Sequence, residues 1–106
     1  QAGAAITVVD LADTLADLPT DWDATACDLA APGAQADLNA QAQEMGRVDI
    51  VVANAGVVPP WRGVDQLDRD EWSRVMAINV WGVAATLGAF TGPLEAPGNG
   101  SAIVMA

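Results

Sequence analysis

The chain has 106 residues, enough for one small domain and too few for two. It carries 14 Asp and Glu against 4 Arg, with no Lys and no His, giving a formal net charge of -10. That balance argues against nucleic acid or an anionic membrane as partner, and the further absence of Tyr removes the side chains most used as general acids and bases near neutral pH.

In chain order, Gly3 suits a helix C-cap, and residues 6–9 (ITVV) form a β-branched run closed by Asp10, the pattern of a buried strand. Residues 13–18 can make one or two helical turns before Pro19 stops them. Residues 22–27 are a weaker strand, followed by Asp28 and the Pro32-Gly33 breaker. Helix formers fill residues 34–45, and Gly46 ends them.

Residues 48–53 (VDIVVA) are the clearest strand, a near-continuous apolar run of the kind found in parallel sheets covered on both faces. It leads into Asn54-Ala55-Gly56 and a loop held by Pro59 and Pro60. Asp68 is placed to cap a long helix, with Glu71 three residues on as in a variant capping box. The helix is expected to reach about residue 90. Its second half is apolar nearly all round, so the sheet and a second protomer are its expected covers. Gly92, Pro93, Pro97, Gly98 and Gly100 read as a loop, and residues 102–105 as a last strand.

This order of strands and helices, without internal repeat, predicts an α/β fold with a parallel sheet. Both ends read as cut, because the chain closes on the apolar run SAIVMA. The stretch 78–90 is interrupted by Asn79 and Thr86 and is shorter than the roughly 20 residues of a spanning helix. No basic segment precedes an apolar core at the start, and the single cysteine, Cys27, fits a small buried thiol in a reducing, cytoplasmic compartment.

Four places can carry chemistry. Asp10, directly after a strand, can accept hydrogen bonds from ribose hydroxyls; an ordinary loop aspartate is an equal reading. Asp28 can accept from an adenine amino group, or serve as a helix cap or a solvated loop residue. Asn54, Ala55 and Gly56 offer an amide to tie neighbouring strands and small residues that let a cofactor approach the backbone. Asn79, inside an apolar helix, is expected to be a buried amide that must find partners, whether a helix carbonyl or a water at a bulge.

Together, strand-end Asp10-Leu11, Asp28-Leu29, GRVDIVVANAG, DEWSRVMAINVWG and GSAIVMA resemble the classical short-chain dehydrogenase/reductase family along essentially the whole chain. The family usually has Asn-Asn-Ala-Gly where Ala53 opens the motif here. The resemblance implies a partial Rossmann fold, a doubly wound parallel sheet. Residues 1–106 would form part of a single NAD-binding domain, holding the family's strands 2 to 5 as two separated pairs with central strand 1 absent. It implies a hydride transfer between a nicotinamide cofactor and an alcohol or carbonyl. Asp10 would select NAD with Leu11 beside it in the cofactor site, Asp28 with Leu29 would contact adenine, and Asn54, Ala55 and Gly56 would line the adenosine and phosphate side. Asn79 looks like the asparagine of the Asn-Ser-Tyr-Lys set, which anchors a water that relays protons. No metal is implied. The family's Ser, Tyr and Lys fall beyond residue 106, and Ser101 is not the catalytic serine.

The expectation is an internal piece of an NAD-dependent enzyme, inactive and not independently stable by itself. Its parent would form a homodimer or tetramer through the 68–90 helix. A non-catalytic nucleotide sensor on the same fold is the alternative. A receiver-like interaction domain is more distant, since it uses a Lys that this chain lacks.

Overall fold

The computed structural model describes residues 3–105. Four short strands alternate with helices: β1 (Thr7–Asp10), α1 (Ala12–Leu15), β2 (Asp23–Ala26), α2 (Ala34–Met45), β3 (Ile50–Ala53), α3 (Arg69–Met76), a π-helical turn (Ala77–Trp81), α4 (Gly82–Glu95) and β4 (Ser101–Val104). A 3₁₀ turn at Val64–Gln66, unforeseen in the sequence, interrupts the loop before α3.

The strands form two separate parallel pairs. In one, β1 pairs with β2 and Asp10 stands opposite Ala26; in the other, β3 pairs with β4 and Ala53 stands opposite Val104. Each ladder continues past its strand end, with Cys27 N–H donating to Asp10 O at 2.9 Å and Met105 N–H to Ala53 O at 3.1 Å. Among the described residues no ladder joins β1 to β3. The Cα radius of gyration is 15.3 Å, against about 13 Å for a compact domain of this length, as the division into two pairs requires.

The core lies between α2, β3 and α4. Leu38 and Ala42 of α2, Val48 and Val51 before and within β3, and Ala85 and Phe90 of α4 are buried together. β3 shows the alternation of a strand covered on one face: Val51 and Ala53 are buried, Ile50 and Val52 exposed. Gly46 ends α2 as the sequence predicts. Its φ of +67° suits glycine, and its N–H closes the helix on Ala42 O at 3.0 Å. Gly3 also has positive φ, +76°, but the residues before it lie outside the described ones.

The long helix differs from expectation in three ways. It continues to Glu95 with Pro93 inside it, because Leu94 docks on the core and Pro93 O accepts the Val48 N–H at 2.9 Å, so tertiary contacts outweigh two local breakers. The π turn interrupts it: Gly82 N–H donates to Ala77 O, five residues back. Asp68 caps it as expected, accepting from Glu71 N–H at 2.8 Å, but the Glu71 carboxylate turns to Arg62 at 3.0 and 3.3 Å and closes no reciprocal box. From Arg69 to Glu95 the helix is long and apolar enough to cross a membrane by length and composition. Ile78, Ala85 and Phe90 are buried in the fold, while Trp72, Met76, Val80 and Trp81 are exposed.

Candidate functional site

The residues singled out in the sequence gather where parallel strands end. Asp10 closes β1, Asp28 stands two residues beyond β2, and Asn54 follows β3 directly. In open α/β sheets this carboxyl edge is where ligands bind.

Both carboxylates are fixed by local backbone. Asp10 Oδ1 accepts from Leu11 N–H at 2.7 Å, and Leu11 O in turn accepts the Thr14 and Leu15 N–H groups that begin α1. Asp28 Oδ1 accepts from Ala30 N–H at 2.9 Å, and its Oδ2 lies 3.9 Å from Arg74 Nη1. In each, one oxygen is committed to its own turn and the other stays open to a hydroxyl or amino donor. Leu29 is half-buried and packs against the core cluster.

The third strand end is joined to the π turn. Asn79 Oδ1 accepts from Val57 N–H and Asn79 Nδ2 donates to Val57 O, each at 2.8 Å. This double bond ties the loop after Gly56 to the helix. A Cβ on Gly56 would lie 3.6 Å from Asn79 Oδ1, so the glycine runs close beneath the amide. The side chain keeps one N–H and one lone pair for a further partner.

Two expectations for these amides are corrected. Asn79 is exposed rather than buried, because the π turn carries it to the surface beside Val57. Asn54 does not tie neighbouring strands: it is exposed and makes no side-chain hydrogen bond among the described residues, where β3 pairs with β4 alone. Sequence reasoning missed Val57, which acts through backbone atoms and leaves no side-chain signal. It also missed Arg74, whose only signal is that it is one of four cations in an acidic chain.

Cys27 is buried beside this edge. Burial pushes its thiol above the ordinary value of 9.0, and the Asp37 and Asp28 charges push the same way, so the sulfur is held neutral. Among the described residues no group of His, Cys, Asp and Glu is placed to hold a metal ion.

A family model described as enoyl-(acyl carrier protein) reductase matches residues 1–106. The chain belongs to the short-chain dehydrogenase/reductase family. An uncharacterized NAD-dependent oxidoreductase of Mycobacterium tuberculosis is 40% identical over 63 residues, 59% of this chain and 22% of the relative. A solved short chain dehydrogenase/reductase family protein superposes with a TM-score of 0.79 at 27% identity, covering 96% of this chain and 44% of that one. The short-chain dehydrogenase of Sphingobium yanoikuyae, solved in complex with NADPH, gives a TM-score of 0.80 at 22% identity, covering 96% and 43%. The chain thus spans about a fifth of the matched curated relative and less than half of these solved structures. The partial Rossmann fold implied by the sequence is the fold of these short-chain dehydrogenases.

The residues present fit a dinucleotide. Two oriented acceptors end adjacent parallel strands, as ribose and adenine recognition require, and a small-residue turn follows the third strand, where a phosphate-bearing ligand needs close backbone approach.

Proposed function

We propose that this chain supplies the adenosine-facing half, and one residue at the reaction side, of an NAD-preferring oxidoreductase that interconverts an alcohol and a carbonyl. The observation that carries the reading is the matched pair of half-committed carboxylates, Asp10 and Asp28, at the ends of β1 and β2. Asp10 accepts from the ribose hydroxyls through its open oxygen and repels a 2′-phosphate; Asp28 accepts from the adenine amino group, and Leu11 and Leu29 flank the base. Asn54, Ala55 and Gly56 line the adenosine and phosphate side. When bound, the nicotinamide ring accepts or donates the hydride. Asn79 anchors the loop through Val57 and holds a relay water with its remaining N–H and lone pair.

NAD preference agrees with the Mycobacterium relative, which is named as NAD-dependent. The Sphingobium structure holds NADPH but is 22% identical, and bears on the fold. The proton-transferring Tyr and Lys of the family do not occur in these 106 residues, so the chain alone is expected to be inactive. The test is the intact oxidoreductase. Asp10→Ser should move the NAD-to-NADP ratio of kcat/KM toward NADP by at least about tenfold, the removal of one charge repulsion of roughly 1.4 kcal/mol. A wild type that prefers NADP, or that turns over neither cofactor with any alcohol or carbonyl, refutes the reading.

The exposed apolar side of the long helix (Trp72, Met76, Val80, Trp81) fits a second copy of the protein, giving a dimer or tetramer. A monomeric mass for the intact protein in solution would overturn that. A buried free thiol suits a cytoplasmic location.

A further inference from the structure

We propose that Arg74 is a positioning residue for adenine recognition, its guanidinium holding the open oxygen of Asp28 toward an amino donor. The inference rests on the dinucleotide reading above and goes beyond it in assigning a residue of the long helix to the adenine subsite.

The segment Asp28-Leu29 is seated on that helix at two points. Arg74 Nη1 lies 3.9 Å from Asp28 Oδ2, and Leu29 Cδ1 lies 3.1 Å from where a Cβ on buried Gly82 would stand. Arg74 and Gly82 lie on either side of the π turn, in α3 and α4. Glycine at position 82 therefore lets Leu29 settle on the helix, and the two contacts hold Asp28 against movement along it.

At 3.9 Å the guanidinium acts on Asp28 by charge and not by a direct hydrogen bond, so it does not use up the oxygen's lone pairs. Ala30 N–H already occupies Oδ1. The oxygen left over is an acceptor only, which matches the 6-amino group of adenine and rejects the 6-oxo group of hypoxanthine. Three of the chain's four arginines form ion pairs among the described residues, Arg47 with Asp49, Arg62 with Glu71 and Arg74 with Asp28. In a chain of net charge -10 Arg74 offsets the negative field at a site that must admit a ligand carrying its own diphosphate.

The test measures, by calorimetry on the intact oxidoreductase, the affinity for NAD and for its hypoxanthine analogue. Arg74→Gln should weaken NAD about fivefold, the upper range for an exposed ion pair, while the hypoxanthine analogue changes less than about twofold. Arg74→Lys keeps the charge and should recover most of the loss. Equal weakening of both ligands would mean a general charge effect on the diphosphate and overturn the proposal, as would no weakening, or a Lys variant as poor as the Gln variant.

If Arg74→Gln does not fold, the wild-type preference for NAD over the analogue should shrink as salt screens the exposed pair. A preference independent of salt overturns the proposal. Asp28→Asn separates the two levels: a variant that leaves the preference for NAD over the analogue intact removes Asp28 from the adenine subsite, whereas a lost preference with an inert Arg74→Gln removes only the role of Arg74.

Discussion

The two strand pairs are built on different foundations. β3 lies against α2 and α4, with Ala53 buried and Val51 buried in one cluster with Phe90, Ala85 and Leu38. No residue of β1 or β2 is fully buried, and that pair meets the rest through the edge contact of Val9, the Leu29 seat, the Asp28–Arg74 pair and a hydrogen bond of 2.9 Å from Thr25 Oγ1 to Gln41 Oε1 of α2. The acids proposed to choose the cofactor thus sit on the thinly supported pair and depend on turn hydrogen bonds for their aim. Asn79, by contrast, stands on a helix anchored in the core.

The largest expected effect tests the well-anchored side. Asn79→Ala in the intact enzyme should lower kcat about 100-fold, the lower range for a group serving proton transfer, with little change in KM for the cofactor. Asn79→Asp should be nearly as poor, since a carboxylate can accept from Val57 N–H but cannot donate to Val57 O. Steady-state kinetics decide, and a kcat loss below about threefold would mean that Asn79 only fastens the loop.

Denaturant titration of the intact protein probes the contrast in support. Phe90→Ala should cost about 3–5 kcal/mol, as for a fully packed aromatic, whereas Val9→Ala should cost about 1 kcal/mol. Equal losses would erase the distinction between the two pairs. Asp68→Ala should cost about 1 kcal/mol, the worth of the cap on Glu71 N–H.

The smallest effect is one of pH. The folded-state pKa of Cys27 is raised, so its contribution to stability is fully present below the ordinary thiol value of 9.0 and declines as pH climbs from there toward the folded value. The melting-temperature difference between wild type and Cys27→Ala should therefore hold steady below the ordinary thiol value and shift against wild type only in alkali. Thiol labelling at pH 7.5 should be slow in the native protein and fast in denaturant.

Where local signals agreed, the sequence was readable. Strong helix formers ending in Gly46 place α2 at 34–45, the observed Ala34–Met45, and each strand lies within about two residues of its predicted run. Asp10, Asp28, Asn54 and Asn79 were visible because a polar residue after or within an apolar run stands out. Pro93 misled, because a local breaker says nothing of the Val48 N–H waiting for its carbonyl. The Glu71 carboxylate was assigned to its own helix end since Arg62, nine residues away, could not be placed beside it from sequence. Val57 and the Leu29–Gly82 contact were illegible for the same reason: they depend on backbone position across the fold.

The π turn has a consequence for how the protein can change. A π turn amounts to one residue more than a regular helix would hold, and each residue of an α-helix advances about 100°. The wide turn absorbs that residue, so deleting one residue between 77 and 81 would restore a regular helix and leave Ala85 and Phe90 facing the core, whereas a residue added to the α-helical part on either side would swing them by that angle. The loop anchor and the core can therefore change separately: closing the wide turn would take Asn79 away from Val57 while Ile78, Ala85 and Phe90 keep a regular helix to pack from.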